Sequence, residues 1–353
     1  MKKLPKISIV IPTYNSSQYL ESCLDSIYSQ DYPLDKLEVW VVNSVATTDN
    51  TIEIAKKYPV KILSNPKKLA EPAKTLGFKH STGDLFMYMD SDAELVSRTW
   101  FKDMSHPLME DTELVGSFTR FVVNPKHKAF NRYVTFNPLQ LWPMLAFLLP
   151  TVKEVTVDKK VNYDVVKVDP HRCVPIGMGM YRKIWLDKVI KNPDTFNYVD
   201  IAIPIQLSEI GHDKLAYVDS AGYYHIRESL IHEMHRQKRD VAVTYLPIVG
   251  QRRFHYVDFT KPGDLLKIVT WIVYVNLLFP SFLVGIYKTI KYRDWVGMYE
   301  LPACFLLTNY VIYLFLTESN GHKLLKSILL RQPISSIKSQ TPRNSFGINR
   351  LKH

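Results

Sequence analysis

The 353-residue sequence has only three cysteines, Cys23, Cys173 and Cys304, and they lie far apart. This spacing predicts neither a disulfide framework nor a cysteine-based metal site, and it fits a reducing compartment. Recognisable nucleic-acid-binding motifs are also missing, so we expect no nucleic acid as a partner. The basic start leads into a short strand with Pro12 and offers no small-residue cleavage site, so we expect no signal peptide.

Acidic residues are missing from one long part of the chain. Between Lys323 and His353 there is no Asp or Glu, whereas seven residues are Lys or Arg. Much of the formal net charge of +11 therefore belongs to a basic tail that follows an apolar region. This placement favours an anionic membrane surface as the partner.

Two apolar segments precede the tail. Residues 268–287 carry no charge, and residues 301–317 form a shorter uncharged segment. We predict two membrane helices, which either span the bilayer as a hairpin or lie in its plane. A hairpin would leave both ends on one side, and the basic tail indicates the cytoplasmic side. Three basic residues in the connecting loop and a proline in each segment weigh against spanning.

The segment from Tyr133 to Val152 is also uncharged, but three prolines interrupt it. Because proline breaks a continuous helix, we predict a broken interfacial segment and not a span.

The first ninety-five residues alternate between strand and helix patterns. The predicted strands are residues 7–11, 37–42 and 60–63 and the apolar run that ends at Asp90. The predicted helices are residues 51–57 and 72–80 and one with an apolar face of Leu20, Cys23, Leu24 and Ile27, capped by Asn15 or Ser16. Such alternation predicts an α/β fold, a Rossmann-like, mostly parallel sheet with flanking helices.

Two carboxylates follow the fourth predicted strand, in the run Met87-Tyr88-Met89-Asp90-Ser91-Asp92. In extended backbone, residues i and i+2 point the same way, so Asp90 and Asp92 can share one site. Ligands of open α/β sheets bind at this carboxyl edge. Two oxygen ligands there suit Mg²⁺ or Mn²⁺ carrying a diphosphate. The alternative is a strand-end turn with two solvated acids.

The order of motifs resembles that of the family 2 glycosyltransferases. The matching segments, in chain order, are Ile7–Asn15, Thr48–Thr51, Gly83-Asp84, Asp90–Asp92, Gly177–Arg182, Tyr198–Asp200 and Tyr223–His225. The resemblance implies a GT-A fold, a UDP- or GDP-linked sugar donor, and Mg²⁺ or Mn²⁺ as cofactor.

The resemblance also implies roles for individual residues. The implied donor-binding residues are Pro12, Thr13, Tyr14, Asn15, Asn43, Asp49, Asp90, Arg236 and Arg239. Tyr14 would lie beside the base or ribose. Asp92 would ligate the metal directly, Asp90 would contact the ribose or the metal, and His225 would lie near the metal. The basic segment with Arg236 and Arg239 would approach the diphosphate or the acceptor, or be a plain solvated face.

Glycosyl transfer needs a base that takes the proton of the acceptor hydroxyl. The resemblance assigns this role to Asp200, which otherwise is a helix-cap candidate. Glu228 and Glu233 are the next candidates.

Three positions depart from the family pattern. Asn43 stands where an aspartate usually reads the base and ribose, Thr75 where asparagine is common, and Val199 where the first acid of the later motif is expected. Asn43 keeps hydrogen-bonding capacity but loses charge.

Together these observations predict four segments: a nucleotide-sugar-binding half (1–95), an acceptor and catalytic half (96–260), two membrane helices (261–320) and a basic tail (321–353). We expect an inverting glycosyltransferase at the cell membrane that acts on a lipid-linked or envelope-polysaccharide acceptor. Truncation before Lys261 should release a soluble domain that still binds the donor. The alternative is a nucleotide-binding membrane scaffold without turnover. Nucleotidyl transfer is a weaker alternative, because a glycine-rich triphosphate loop is missing.

Overall fold

The computed structural model describes residues 3–67, 69–139, 142–170, 173–191, 202–251, 257–259, 261–334 and 337. The chain divides into two compact units. The first comprises residues 1–126, 135–141 and 149–226, and the second comprises residues 127–134, 142–148 and 227–353. The units interleave along the chain, whereas the four predicted segments follow one another; that functional division stays a prediction.

Within the described ranges, the strands are β1 Ile7–Thr13, β2 Leu37–Ser44, β3 Lys61–Asn65, β4 Leu85–Tyr88, β5 Ala93–Leu95, β6 Gly116–Phe118, β7 Thr156–Lys159, β8 Asp164–Lys167, β9 Gly179–Arg182, β10 Lys214–Tyr217 and β11 Tyr223–His225. All of them belong to the first unit.

The α-helices, in chain order, are α1 Leu20–Tyr28, α2 Thr51–Ala55, α3 Ala70–His80, α4 Trp100–Glu110, α5 Ala129–Val134, α6 Pro143–Leu148, α7 Val152–Val155, α8 Lys183–Val189, α9 Ala202–Glu209, α10 Leu230–Gln237, α11 Pro262–Asn276, α12 Phe279–Tyr292, α13 Glu300–Thr317 and α14 Ser319–Leu329. Short 3₁₀ segments are Leu34–Lys36, Leu246–Gln251 and Trp295–Tyr299, and Lys238–Tyr245 is π-helical.

A nine-stranded sheet forms the centre of the first unit, in the order β3-β2-β1-β4-β9-β6-β10-β8-β7. The strands β1, β2, β3 and β4 are parallel neighbours, and only β8 and β9 run against the other seven. The predicted α/β class with a mostly parallel sheet is therefore confirmed. Strands β5 and β11 form a separate antiparallel pair.

The strand β1 lies in the middle of the parallel half, between β2 and β4. Its residues Ile7, Ile9, Val10 and Ile11 are fully buried, as expected for a strand covered on both faces. The helix α1 buries its predicted apolar face of Leu20, Cys23, Leu24 and Ile27.

The predicted cap of α1 is wrong. The helix begins at Leu20, and neither Asn15 nor Ser16 caps it. Asn15 has a left-handed backbone (φ 47°) and its Oδ1 accepts a hydrogen bond from the Thr48 amide. The Ser16 amide donates to the Thr51 hydroxyl. Asn15 and Ser16 therefore connect the loop after β1 with the end of the loop after β2 and the first residue of α2. Neither residue lies at the N-terminus of α1.

The second unit is helical in the residues that the structure describes. A buried cluster there consists of Val241, Leu246, Val249, Val311, Leu314, Leu324 and Ile337. The cluster joins residues on both sides of position 260, with α13 supplying two of its members. One helical segment, 295–317, is long and apolar enough to cross a membrane by length and composition.

The predicted helix over 268–287 is not one helix. Its residues are divided between α11 and α12, which are bent by 82° at a short break. Pro280 lies in the first turn of α12, where its missing N–H costs no helical hydrogen bond, but it cannot continue α11. The segment 133–152 is likewise broken, into α5, α6 and α7, as its prolines predict.

Candidate metal and donor site

Asp90 and Asp92 follow β4 at the carboxyl edge of the sheet. The Met89 amide donates to the carbonyl of Val10, which continues the pairing of β4 with β1 up to the carboxylates. The Ser91 hydroxyl donates to Ser16 Oγ at 2.9 Å, and so holds the turn against the loop after β1. The two acids are thus placed on the central strand and braced by its neighbour.

His225 reaches this edge through the small sheet. It pairs with Ala93 in the β5–β11 register, and the Ile226 amide donates to the Asp92 carbonyl at 3.1 Å. Its Nε2 lies 3.2 Å from Asp92 Oδ1 and 3.9 Å from Asp90 Oδ2. The implied proximity of His225 to the carboxylates is therefore observed.

The donor atoms of Asp90, Asp92 and His225 fit a divalent cation. One ligand atom from each lies within 4.8 Å of the other two. The carboxylates are partly exposed while the imidazole is buried, so one side of the cluster is open to a ligand. A set of two carboxylates and one imidazole matches Mn²⁺, which takes oxygen ligands and also accepts nitrogen. When bound, the cation would neutralise charge on a departing diphosphate.

Sequence reasoning missed the groups that surround this cluster. Cys23 lies beneath it, with its Sγ 3.8 Å from the Asp90 carbonyl. Burial, reinforced by the charges of Asp92 and Asp90, raises the pKa of the Cys23 thiol well above its ordinary value, so the thiol stays protonated. The Phe121 ring lies 5.8 Å from the His225 ring. These residues support the cluster from the apolar side.

Asp49 acts as a clamp between loops. Its Oδ1 accepts hydrogen bonds from the amide and hydroxyl of Thr51, and its Oδ2 accepts one from the Ser17 amide. Burial opposes ionisation, but these hydrogen bonds outweigh it and lower the pKa of Asp49 to about 2. The carboxylate is therefore charged and engaged in holding the first turn of α2 to the loop after β1.

Asn43 is buried at the end of β2 and its amide is largely used within the protein. Its Oδ1 accepts from the hydroxyls of Thr13 and Thr47, both at 2.9 Å, and its Nδ2 donates to the Ser44 carbonyl. The side chain thus connects the ends of β1 and β2. This explains why an uncharged amide is tolerated here, since it donates and accepts in one network.

Tyr14 is the exposed aromatic residue of the predicted donor-binding set. Its side chain is 53% exposed, while Thr13 before it is buried. Pro12 lies opposite Val42 in the β1–β2 register. Of the predicted residues on the loop after β1, Tyr14 and Asn15 are exposed, and Tyr14 offers an aromatic ring to a base or ribose.

Lys74 was not predicted. It is buried on α3, and its Nζ lies 3.7 Å from the ring centroid of Tyr88, the last residue of β4. The Lys74 cation therefore lies over Tyr88, which precedes Asp90 by two residues. The one available signal was a lysine among the buried residues Ala73, Thr75, Gly77 and Phe78 of α3.

The glycine-rich segment before the basic residue Arg182 has a packing role. A Cβ at Gly177 would lie 2.1 Å from the Thr119 carbonyl oxygen, so only glycine fits. The Arg182 guanidinium donates to the carbonyls of Leu114 and Asp111 and so holds the connection between α4 and β6.

The remaining predicted residues belong elsewhere. Arg236 on α10 and Arg239 on the π-helical segment are part of the second unit, and Arg239 pairs with Asp240 at 2.9 Å. Their role at a donor site stays a prediction. The catalytic candidate Asp200 lies outside the described residues. Glu233 is buried and accepts a hydrogen bond from Trp142 Nε1, so its carboxylate is engaged.

A cavity of about 400 Å³ opens at the opposite end of β4. Asp84, Arg182, Lys183 and Asp187 are among its lining residues. Because this end of the sheet is the amino edge of β4, the cavity is separate from the carboxylate cluster.

Comparison with protein families places the chain among known sequences. The family model for glycosyl transferase family 2 matches residues 8–184. The matched range begins at the second residue of β1, extends past β9 and includes both carboxylates of the cluster.

Two relatives illustrate the similarity. Glycosyltransferase AglE of Haloferax volcanii is 27% identical over 144 residues, which are 39% of this chain and 47% of AglE. A dolichol-phosphate mannosyltransferase of Pyrococcus furiosus is 30% identical over 216 residues, 54% of this chain and 56% of its own length. The chain thus spans about half the length of these relatives. A solved mannosyltransferase of Pyrobaculum calidifontis, in complex with GDP-Man and Mn²⁺, superimposes with a TM-score of 0.47 at 16% identity, covering 94% of this chain and 81% of that one.

Proposed function

Because the chain belongs to glycosyl transferase family 2, we propose that it transfers a hexose-type sugar from a UDP- or GDP-linked donor to a lipid-linked or envelope-polysaccharide acceptor. The reaction inverts the configuration at the anomeric carbon. The enzyme is attached to the cell membrane with its catalytic unit on the cytoplasmic side.

The observation that supports this proposal best is the cluster of Asp90, Asp92 and His225, whose ligand atoms lie within 4.8 Å of one another at the carboxyl edge of the sheet. A divalent cation held there would offset the charge of the donor's diphosphate as it departs. Tyr14 supplies an exposed ring on the adjoining loop for the base. Both features favour a nucleoside-diphosphate sugar as donor and Mn²⁺ or Mg²⁺ as cofactor.

The lipid-linked acceptor is supported by two further observations. One relative is named a dolichol-phosphate mannosyltransferase. In addition, the second unit carries apolar helices, one of them long and apolar enough to span a membrane. An enzyme that acts on a lipid-linked acceptor gains from membrane attachment, because enzyme and acceptor then share one surface.

The test is a transfer assay with full-length protein in detergent. Radiolabelled UDP-glucose, UDP-N-acetylglucosamine and GDP-mannose are offered with Mn²⁺, with and without polyprenyl phosphate. We expect one donor to label the organic phase only when acceptor and metal are present, and the same donor to be hydrolysed slowly without acceptor. Absence of both transfer and hydrolysis across the donor panel would contradict the proposal.

The second candidate is a nucleotide-binding membrane scaffold without turnover. The observation in its favour is Asn43, an amide in place of the expected aspartate, whose hydrogen bonds hold the protein's own strand ends. Mn²⁺-dependent donor binding together with undetectable hydrolysis and transfer would support the scaffold over the enzyme.

A further inference from the structure

The helix α12 has its small and polar residues on the inside. Ser281 and Gly285 are buried, and a Cβ at Gly285 would lie 3.2 Å from the Gly297 carbonyl oxygen. Lys288 Nζ lies 2.5 Å from Glu300 Oε2 within the same unit. Helices of water-soluble proteins place such residues outward and their apolar face inward, so α12 has the opposite arrangement.

The outer face of α12 is apolar at helical spacing. Phe282, Ile286 and Tyr292 are 37% to 40% exposed, and the most exposed large residues are Phe279, Leu283, Tyr287 and Ile290. They recur every three or four positions and therefore form one stripe along the helix. Soluble monomers rarely expose a continuous apolar surface of this kind unless something covers it.

The helix α11 continues this surface. Its exposed large residues are Leu266, Val269 and Val273, again at helical spacing, and Leu277 directly after the helix continues the series; Trp271 and Val275 are buried. At the bend, Leu277, Leu278 and Phe279 are all exposed. The apolar surface is therefore uninterrupted from one helix to the other through the bend.

The lengths of the two helices exclude a straight crossing by either. They have 15 and 14 residues, which corresponds to about 20 Å each at 1.5 Å per residue. The hydrocarbon core of a bilayer is about 30 Å thick. The bend of 82° sets the two helices almost at right angles, so together they form no straight span.

Charge identifies the covering partner. Lys267 lies in the first half of α11, and Lys291 and Arg293 lie at the outer end of α12. The acids that border this segment are both engaged within the protein: Asp264 accepts a hydrogen bond from the Asp258 amide, and Asp294 pairs with Arg132. The bend is uncharged. An apolar centre with cations at both outer ends suits a bilayer leaflet whose headgroups are anionic.

From these observations we infer that α11 and α12 form a re-entrant wedge, which enters and leaves the same leaflet of an anionic bilayer with residues 277–280 deepest. The inference rests on the membrane attachment in the proposed function and specifies its geometry. Lys288 is kept out of the lipid by its pairing with Glu300. The wedge attaches the enzyme to the leaflet that holds a lipid-linked acceptor.

Depth is tested with single cysteines introduced into the full-length chain. The native cysteines Cys23, Cys173 and Cys304 are buried, so they need no replacement. Phe279→Cys and Leu266→Cys are labelled with bimane in vesicles of phosphatidylcholine and phosphatidylglycerol that contain lipids spin-labelled at shallow or deep positions. We expect the deep label to quench position 279 more than position 266.

Sidedness is tested in inverted membrane vesicles and in spheroplasts of the expression host. Lys261→Cys and Arg293→Cys should react with an impermeant maleimide in the same preparation and stay unreactive in the other. Reaction in opposite preparations would overturn the wedge in favour of a span. If the label at position 279 is already shielded from solvent in protein without vesicles, a second copy of the chain covers this surface. That result would overturn the wedge.

A binding measurement completes the test. The double variant Phe279→Glu/Leu283→Glu should lose vesicle binding by about tenfold or more, because it places two charges in the apolar stripe. Val161→Glu, at a 98% exposed position of the first unit, is the matched control and should bind like wild type. Unchanged binding of the double variant would refute the wedge. Because none of these readouts requires sugar transfer, the wedge and the proposed activity fail separately.

Discussion

His225 Nε2 lies 3.2 Å from Asp92 Oδ1, although the two residues come from distant parts of the chain. The pairing of β5 with β11 creates this contact, because it places His225 opposite Ala93 and directly beside the carboxylates. The cluster is therefore as stable as the small sheet that holds it. Its chemistry is open to direct test by substitution.

Asp92→Asn should keep the fold and remove Mn²⁺-dependent donor binding, because the amide loses the charge that a divalent cation requires. At a hundredfold excess over its dissociation constant, a donor stabilises a protein by about 2.7 kcal/mol, which thermal unfolding with and without Mn²⁺ detects. Asp84→Asn, at the other end of β4, is the control and should behave like wild type. Equal stabilisation of all three proteins would show that the carboxylates form only a turn.

His225→Asn should change the preference among metals. The imidazole favours Mn²⁺ over Mg²⁺, since Mg²⁺ prefers oxygen ligands. We expect the Mn²⁺ concentration for half-maximal donor binding to rise by about ten- to hundredfold, with a smaller change for Mg²⁺. His80→Asn, an exposed histidine on α3, serves as control. A parallel loss for both metals would instead indicate a structural role of His225.

Asp200→Asn should reduce transfer by roughly 10² to 10⁴ in rate, because the amide cannot accept the proton of the acceptor hydroxyl. Donor and metal binding should remain, since the base acts on the acceptor. Single-turnover assays with the preferred donor measure the first effect, and thermal stabilisation by donor and Mn²⁺ measures the second. Glu228→Gln is the comparison variant; loss of transfer there and not at Asp200 would place the base at Glu228.

Glu38 on β2 is a buried carboxylate with a structural role. Its side chain is 3% exposed and accepts hydrogen bonds from Ser8, Thr82 and Lys61. Burial opposes ionisation, but these donors prevail and lower the pKa of Glu38 from 4.5 to about 2. A lowered pKa means that the stabilisation is complete above pH 4.5 and is lost as pH falls towards 2.

Glu38→Gln should therefore lower the free energy of unfolding by on the order of 3 kcal/mol at pH 7. The difference from wild type should shrink at pH 3, where wild type has lost part of this stabilisation. Glu21→Gln is the matched control, because Glu21 is 54% exposed and pairs with Lys57 at 3.0 Å; it should cost less than about 1 kcal/mol. Urea unfolding at both pH values measures each difference. A constant difference across pH would contradict the argument.

Truncation before Lys261 has a different expected outcome in light of the structure. Val241, Leu246 and Val249 precede that point, yet they are buried against Val311 and Leu314 of α13. We therefore expect the truncated chain to aggregate in size-exclusion chromatography, whereas the sequence alone predicts a soluble domain. Removal of residues 338–353 keeps the whole cluster and is the control. A monodisperse truncated protein would show that the cluster is dispensable.

Local patterns predicted the first four strands and the helices between them, because burial on both faces of a parallel sheet produces apolar runs in the sequence. Family membership and the observed sheet confirm the GT-A fold that the motifs implied. The cluster of Asp90, Asp92 and His225 followed from motif order. Pairing between distant short strands such as β6 and β9 did not, since three- or four-residue strands carry little periodicity.

Two further features could not be predicted from the sequence: the hydrogen-bond partners of polar side chains, and the direction in which consecutive helices run. Sequence shows that Asn43 and Asp49 are polar, but not that their acceptors are used by Thr13, Thr47 and Thr51. Likewise, Pro280 indicated that the uncharged run of twenty residues would be weakened as one helix, but not that α11 and α12 would meet at 82°. The burial of Ser281 and Gly285 and the pairing of Lys288 with Glu300 show which side of α12 faces the protein.

The hydrogen bond from the Tyr133 hydroxyl to Glu300 Oε2 has a consequence for biosynthesis. The two residues are 167 positions apart, and Tyr133 on α5 is fully buried. During translation, α5 and α6 leave the ribosome before α13 has been synthesised. Until then, their apolar side chains lack the residues of α13 that they contact in the folded protein. Chains interrupted between residues 230 and 300 would therefore depend on chaperones or an early membrane contact to stay unaggregated.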